Sequence, residues 1–232
     1  MIRLAIDAST PICDIALIHE ESNKEFVLWE EGKGIHSDRL FEGIEELTKL
    51  AGISVQDVDE WITTGGPGSY TGLRIAVSAL KGILFFSKKN MLSVQTLAFF
   101  ARSMAEEKPE SIRFHACIDA RRTHLYHQFF EIREKTVISS SKPEILPLEE
   151  IKTILKSGDC IGGTGIERLG LNWLKEKEIF VLESKKVINP LILAKFSQNN
   201  VSWKSFMQTV EPELFEPDYY SSGMAQVYTK KN

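Results

Sequence analysis

The order of apolar and polar positions along the first part of the chain predicts an α/β lobe. Three short runs rich in β-branched and other apolar residues are separated by tight turns, which is typical of an antiparallel meander of strands. Two longer segments then place apolar residues every three or four positions, as amphipathic helices do, with a short strand between them. The predicted elements are strands at 2–7, 13–19, 24–30 and 61–64 and helices at 38–50 and 73–86.

The second part of the chain repeats this alternation more weakly. A charged stretch containing a proline, 107–110, predicts a boundary between an N-terminal lobe, 1–106, and a C-terminal lobe, 107–232. Towards the end we expect an extended, proline-bounded segment at 211–220 and a frayed terminus at 224–232. The other predicted elements are strands at 91–95, 112–118, 124–132 and 179–182 and helices at 97–106, 147–156, 166–177 and 190–198.

The two helices of the first lobe differ in how much apolar surface they carry. Helix 38–50 has one apolar stripe, whereas helix 73–86 is apolar on more than one side. The second helix also contains the small residues Ala76, Ala79 and Gly82, which let another helix approach closely. Such a helix is either buried within its own lobe, or packs one side on its sheet and another on a partner. The pattern leaves both interpretations open.

Composition narrows the class of protein. With 43% hydrophobic and 26% charged residues, the 232-residue chain has the composition of a globular protein with a substantial core. A protein with a net charge of −4 is unsuited to binding nucleic acid without a partner, because neutralising phosphates requires clustered Lys and Arg. No apolar run is long enough to span a membrane, so we expect a cytoplasmic protein.

Candidates for metal ligation are few. Cys13, Cys117 and Cys160 are widely spaced in apolar surroundings, which is typical of buried free thiols. His124 and His127 form an H-x-x-H pair, but residues three apart on a strand point to opposite faces and do not easily chelate one ion. We therefore expect structural histidines, no intrinsic metal or cofactor, no proteolysis and no catalytic residues.

A glycine-rich loop joins strand 61–64 to helix 73–86. Free backbone N–H groups at a strand–loop–helix junction can bind phosphate, but a plain tight turn gives the same pattern. The loop has neither the Walker A sequence nor the G-x-G-x-x-G spacing. A second glycine loop at 162–165 is open to the same two interpretations. The candidate phosphate-binding residues of the first loop are Gly66, Gly68, Ser69, Thr71 and Gly72.

Four stretches, in this order and spacing, resemble the TsaB (YeaZ) family. They are Leu-Ala-Ile-Asp-Ala-Ser-Thr at 4–10, His-Ser-Asp-Arg-Leu at 36–40, Gly-Pro-Gly-Ser-Tyr-Thr-Gly-Leu-Arg at 66–74 and Asp-Ala-Arg-Arg at 119–122. The third is long and specific. The resemblance covers about the first 130 residues well and the remainder loosely.

The resemblance implies a fold and a function. The fold is α/β, a two-lobed actin-like ATPase fold with mixed sheets. The function is that of a non-catalytic subunit in bacterial synthesis of threonylcarbamoyladenosine (t6A), in which a threonylcarbamoyl group is transferred to adenosine 37 of tRNAs reading ANN codons. The implied partners are a TsaD-like catalytic paralogue and a TsaE-like ATPase. Contact with tRNA is then indirect, through the complex. Any binding of ATP or ADP is expected at the interface of the complex. The chain is expected to form homodimers when its partner is absent.

The resemblance also favours the partner-binding interpretation of the two helices, because proteins of this family pair through their two N-terminal helices. The residues expected at the partner interface are Leu40, Phe41, Ile44, Leu73, Ile75, Ala76, Ala79, Leu80, Gly82 and Ile83.

A stand-alone actin-like ATPase or small-molecule kinase is the alternative. Such enzymes place an acid at the end of the first strand, as Asp7 is placed here. They usually follow that acid with glycine and soon afterwards a cation, whereas this chain has Ala8 and no Lys or Arg in 9–17. Nucleotide binding by the isolated chain separates the hypotheses, because only the alternative requires it.

Overall fold

The computed structural model describes residues 1–32, 34–87, 89–198 and 201–218. Its strands are β1 (Ile2–Asp7), β2 (Ile12–His19), β3 (Lys24–Glu31), β4 (Glu60–Thr64), β5 (Met91–Val94), β6 (Arg113–Asp119), β7 (His124–Arg133), β8 (Thr136–Ser140), β9 (Glu144–Pro147), β10 (Cys160–Gly163), β11 (Phe180–Leu182) and β12 (Met207–Val210). Its helices are α1 (Ile35–Ala51), α2 (Tyr70–Leu84), α3 (Thr96–Glu107), α4 (Leu148–Ile154), α5 (Leu171–Glu176), α6 (Ser184–Val187) and α7 (Pro190–Ala194).

The strands form two mixed sheets built on one plan. In the first sheet the spatial order is β12-β5-β4-β1-β2-β3, and in the second it is β11-β10-β6-β7-β8, with β9 also paired to β7. Each sheet opens with three antiparallel strands and adds two parallel strands on the other side of its first strand. The predicted fold class, a two-lobed α/β fold with mixed sheets, is therefore confirmed.

The chain does not divide between the sheets at one point. The predicted boundary after 106 lies at the end of α3, one residue before its last helical position. However, β12 pairs antiparallel with β5 and so belongs to the first sheet, although it follows the whole second sheet in sequence. The division into 1–106 and 107–232 stays a prediction, and it did not include this return of the chain.

Several predicted elements differ from those observed. The helix expected at 166–177 is interrupted at Gly170, whose φ of 87° lies in the left-handed region, so that a 3₁₀ turn, Ile166–Leu169, precedes α5. Strands β8 and β9 were not predicted. Residues 219–220 of the predicted extended segment and the terminus at 224–232 lie outside the described residues.

A single apolar cluster joins the two lobes. Helix α3 lies in it, and its Phe99 and Phe100 side chains are completely buried. Trp203 and Phe206, from the segment just before β12, pack against Phe130 of the second sheet. A separate cluster lies between the first sheet and helices α1 and α2. The returning segment is thus part of the core that both lobes share.

A buried polar network crosses the second sheet beneath its first two strands. The His115 Nε2 atom lies 3.0 Å from a carboxylate oxygen of Asp159, and its Nδ1 atom lies 2.9 Å from Nε2 of His127. Asp159 also accepts hydrogen bonds from the Arg113 side chain at 2.6 Å and the Lys156 backbone N–H at 2.8 Å. These bonds tie β10 to β6 and β7.

This network fixes the charge of two of its members. Burial, reinforced by the neighbouring His115, lowers the pKa of His127 to about 3. Burial by itself would raise the pKa of Asp159, but hydrogen bonds from His115 and Arg113 lower it to about 2. In the folded protein His127 is therefore neutral and Asp159 is ionised across the ordinary pH range.

We expect the free energy of unfolding to fall as the pH is lowered from about 6.5 to about 3. In that window the unfolded chain protonates His127 with an ordinary pKa, whereas the folded protein keeps it neutral. One such group changes the stability by at most about 1.4 kcal/mol per pH unit. Urea unfolding between pH 4.5 and 7, above the range in which Asp159 titrates, measures this slope. His127→Gln should make it shallower.

His124→Gln is the matched control, because His124 lies on the same strand and is half exposed. It should leave the slope as in the unchanged protein. The assignment of the slope to His127 is wrong if both variants have the same pH profile as the unchanged protein.

Candidate functional site

The glycine loop after β4 packs tightly on the turn between β1 and β2. A β-carbon added to Gly72 would lie 2.0 Å from the carbonyl oxygen of Ala8, and one added to Gly68 would lie 2.5 Å from that of Ser9. Neither position accepts a side chain without moving the backbone of the other segment. Glycine is therefore required at both positions by the close approach of two backbones.

Part of the donor capacity of this loop is used within the chain. The Ser69 N–H donates to the Ser9 carbonyl at 2.6 Å, and the Ser69 hydroxyl caps α2 by accepting from the Gly72 N–H at 3.2 Å. The Gly66 carbonyl accepts from the Thr96 N–H at the start of α3. Two of the five candidate phosphate-binding residues thus already donate their backbone N–H groups. Phosphate binding by the loop stays a prediction.

Two carboxylic acids face each other beside this loop. Asp7 and Asp14 are directly opposite across the antiparallel β1–β2 pair, and both are completely buried. One Asp7 oxygen accepts hydrogen bonds from the Ser9 N–H at 2.9 Å and the Thr64 hydroxyl at 2.6 Å. Among the described residues, the other Asp7 oxygen and both oxygens of Asp14 have no partner. Three buried carboxylate oxygens are thus left unbonded within the chain.

This environment disfavours ionisation of the pair. Burial, and then the charge of Asp7, raises the pKa of Asp14 well above its usual value. Burial also raises the pKa of Asp7, against the opposing effects of Thr64, Ser9 and His36. The carboxyl group of Asp14 therefore holds its proton more strongly in the fold than an ordinary aspartic acid does. An incoming phosphate would meet acids here, where the alternative ATPase hypothesis requires a cation.

His36 connects the turn, the loop and α1. Its Nε2 atom lies 2.8 Å from the Thr10 carbonyl oxygen, and its ring lies against Gly72. The side chain is buried in the first turn of α1. These contacts fit a structural role for His36. Across the described residues, no three His, Cys, Asp or Glu side chains are grouped so as to hold a metal.

Most of the predicted interface residues are buried inside the lobe itself. At 4% exposure or less, Leu40, Ile44, Leu73, Ala76, Ala79 and Leu80 belong to its core. These six side chains therefore pack mainly within their own lobe, and their place at the partner interface stays a prediction. One side of α2 packs on the sheet, and α1 and the 3₁₀ turn Pro212–Leu214 cover much of the other. No local pattern along the chain indicates that this distant turn lies there.

The other four predicted residues do reach the surface. Phe41 is 56% exposed, Gly82 is exposed, and Ile75 and Ile83 are half-buried. Their role in binding a partner stays a prediction.

A groove of about 560 Å³ runs between α1 and α2. Its walls are Ser37, Phe41, Tyr70, Thr71, Arg74, Ile75, Ser78 and Ala79. Beyond its far end, past the last turn of α2, the rings of Phe85 and Phe86 pack edge to face, and Phe86 is 90% exposed. Tyr70, Arg74 and Phe86 were not among the residues predicted for this surface, although Phe86 was within the predicted helix.

The described residues include no helix long and apolar enough to cross a membrane.

We expect Asp14→Asn to stabilise the protein at pH 8 by about 1–3 kcal/mol, since it removes an ionisable group that burial keeps uncharged. Because its pKa is raised, Asp14 keeps its proton to a higher pH in the folded state than in the unfolded chain, which releases it near pH 3.9. The contribution of Asp14 to the free energy of unfolding therefore falls as the pH rises above about 3.9 towards the raised pKa of the folded state. Unfolding in urea from pH 5 to pH 8 should show a smaller decline for the variant than for the unchanged protein.

Asp38→Asn serves as the control, since Asp38 is an exposed acid in the first turn of α1. It should not stabilise the protein at pH 8. If Asp14→Asn is less stable than the unchanged protein at that pH, Asp14 is ionised in the fold and our assignment of its proton is wrong.

Known proteins similar to this chain share its overall architecture. A structure described as YeaZ from Pseudomonas aeruginosa is 26% identical and superposes with a TM-score of 0.71, covering 94% of this chain and 99% of that one. A second P. aeruginosa structure, described as an uncharacterised protein with similarity to peptidase YEAZ, gives 26% identity and a TM-score of 0.72, over 94% and 98% of the two chains.

Curated relatives carry one name. The tRNA threonylcarbamoyladenosine biosynthesis protein TsaB of Buchnera aphidicola subsp. Baizongia pistaciae is 28% identical over 87% of this chain and 91% of its own. The protein of that name from Escherichia coli K12 is 29% identical over 64% of this chain and 63% of its own. The family model described as TsaD, tRNA N6-adenosine threonylcarbamoyltransferase, matches residues 27–169. Because that match spans more than half of the chain, the protein belongs to this family, in which the relatives it resembles are TsaB proteins.

Proposed function

We propose that this protein is a non-catalytic subunit that pairs with a TsaD-type catalytic protein in the synthesis of t6A on tRNA. The single observation that carries the proposal is the open, largely apolar groove between α1 and α2. The TsaB relatives are named for this biosynthesis, and the family model is that of the transferase itself. A partner with the same fold could present its own two helices to the groove and form a four-helix contact.

Gly82 supports a helix as the occupant of this face. A β-carbon on Gly82 would meet no atom of the described residues within 4 Å, so their packing does not require glycine there. Glycine inside a helix costs about 1 kcal/mol relative to alanine. Together with Ala79 on the groove wall, an unnecessary glycine on the outer side of α2 is what close approach by another helix would require.

The buried acids argue against catalysis by this chain alone. In an actin-like kinase or ATPase, the first β-turn holds phosphate with the help of a cation. Here Asp14 stands directly across from Asp7, and the glycine loop donates Ser69 and Gly72 N–H groups to its own chain. The chain therefore acts through the protein it binds. ATP or ADP and a TsaE-like ATPase would join at the interface of the complex, and tRNA would be held mainly by the partner.

We expect Gly82→Glu to weaken pairing with a TsaD-type protein at least about 100-fold, because an unpaired charge buried at an interface costs several kcal/mol. The isolated variant should stay folded and be up to about 1 kcal/mol more stable, since it gains helix propensity at an open position. Phe41→Glu should also weaken pairing. Isothermal titration calorimetry measures pairing, and incorporation of labelled threonine into tRNA measures function in the reconstituted mixture.

Leu171→Glu is the matched control, because it also adds a negative charge at an exposed apolar residue, on the distant helix α5. It should pair as the unchanged protein does. If Gly82→Glu and Phe41→Glu both pair and support modification normally, the partner does not bind at the α1–α2 groove.

The alternative, a stand-alone ATPase or small-molecule kinase, is favoured by one observation, the glycine loop at the N-terminus of the 15-residue helix α2. ADP titrated into the isolated full chain, and separately into the chain with its partner, distinguishes the two. Binding to the isolated chain together with hydrolysis of ATP would establish the alternative. Binding that requires the partner is the result expected for a subunit.

A further inference from the structure

The tight turn between β6 and β7 has an unusual backbone. Arg121 and Arg122 both lie in the left-handed region, with φ values of 67° and 51°. Residues other than Gly, Asn and Asp seldom adopt this conformation, and paired left-handed positions in hairpins strongly favour Asn-Gly. Both arginines are exposed at the tip of the hairpin. Arg121 and Arg122, which are poorly suited to a left-handed backbone, thus lie at the exposed tip of the hairpin.

Hydrogen bonds to neighbouring residues of the second lobe hold this turn. Asp119, the last residue of β6, accepts a hydrogen bond from the Arg121 N–H and another from the Arg168 side chain, both at 2.7 Å. Arg168 also donates to the His124 carbonyl at 2.9 Å, and the Asp119 N–H donates to the Thr164 hydroxyl at 3.0 Å. These four hydrogen bonds therefore stabilise the conformation of the turn.

The guanidinium groups of Arg121 and Arg122 are not used within the described part of the chain. Neither side chain has a hydrogen-bond or ion-pair partner among the residues that the structure describes. The chain's seven other arginines all donate side-chain hydrogen bonds, and they are Arg3, Arg39, Arg74, Arg102, Arg113, Arg133 and Arg168. The two adjacent guanidinium groups left over are those on the strained turn. Such a combination indicates a binding role.

We propose that Arg121 and Arg122 contact backbone phosphates of the tRNA. Guanidinium groups bind phosphate through paired N–H donors. A convex hairpin tip suits phosphates on the outside of a folded RNA better than a free nucleotide, which proteins usually hold in a concave site. This inference rests on the proposed function and adds to it a direct, auxiliary contact between this subunit and the RNA.

The charges around the tip are consistent with an auxiliary contact. The Thr123 carbonyl accepts from the Leu148 N–H, which brings the acidic first turn of α4 close to the hairpin. In that turn Glu149 is paired with Lys152, which leaves Glu150 as the unpaired acid. The patch is therefore small, and together with the net charge of −4 it is insufficient to hold tRNA without a partner.

The test is a double variant, Arg121→Asn with Arg122→Gly, which removes both charges and supplies residues that prefer this turn. Its melting temperature should rise, whereas its binding to tRNA should weaken about tenfold at low salt. The slope of log affinity against log salt should become smaller by about 1.4 to 1.8, as two lost phosphate contacts predict. Fluorescence anisotropy with labelled tRNA measures this for the full chain alone and for the chain with its TsaD-type partner.

Lys175→Gln with Lys177→Gln, an equal loss of charge at exposed residues around the end of α5, is the control and should bind tRNA normally. Pairing with the partner is measured on the same samples, so loss of the complex and loss of the RNA contact are distinguished. Equal tRNA affinity of the double variant and the unchanged protein, alone and with the partner, would overturn the inference. The inference would also be overturned if the double variant bound tRNA normally but no longer bound ADP or pyrophosphate. The ligand of the two arginines would then be a free phosphate compound.

Discussion

The close contact between the glycine loop and the β1–β2 turn determines the geometry of the first lobe. Because Gly68 and Gly72 lie against the Ser9 and Ala8 carbonyls, the start of α2 is fixed relative to β1. His36 then attaches α1 to the same turn. The position of both helices, and so the width of the groove between them, follows from this backbone packing. Whether or not it binds phosphate, this loop positions two helices.

The second lobe repeats this arrangement. The glycine loop after β10 packs on the end of β6, with a β-carbon on Gly163 only 1.9 Å from the Cys117 carbonyl oxygen and one on Gly165 2.8 Å from Leu125. The Thr164 N–H donates to the same carbonyl at 3.1 Å. The equivalent turns differ in chemistry, since one buries two acids and the other exposes two arginines. This difference is consistent with the pairing and the RNA contact that we propose for the two lobes.

Local pattern was enough to predict the fold class, the opening meander and helices α1 and α2 to within a few residues. It was also enough to find the glycine loop, whose cap at Ser69 follows from short-range rules. It failed where distant segments meet. Burial along α2 depends partly on what covers the helix, including a turn more than 120 residues later. The hydrogen bonds of His115 to His127 and Asp159 depend on the register of three strands, which no local signal encodes.

The place of β12 in the first sheet has a consequence for the order in which the protein can be completed. During synthesis, the strands β1 to β5 emerge before any of the second lobe, but β5 lacks its outer neighbour until residues 207–210 are made. Phe215, which packs in the core beneath α2, comes later still. The edge of the first sheet therefore stays open while more than a hundred further residues are translated. A chain that stops before residue 207 leaves that edge exposed to pairing with other strands, so the first lobe can be completed only after the second lobe has been made.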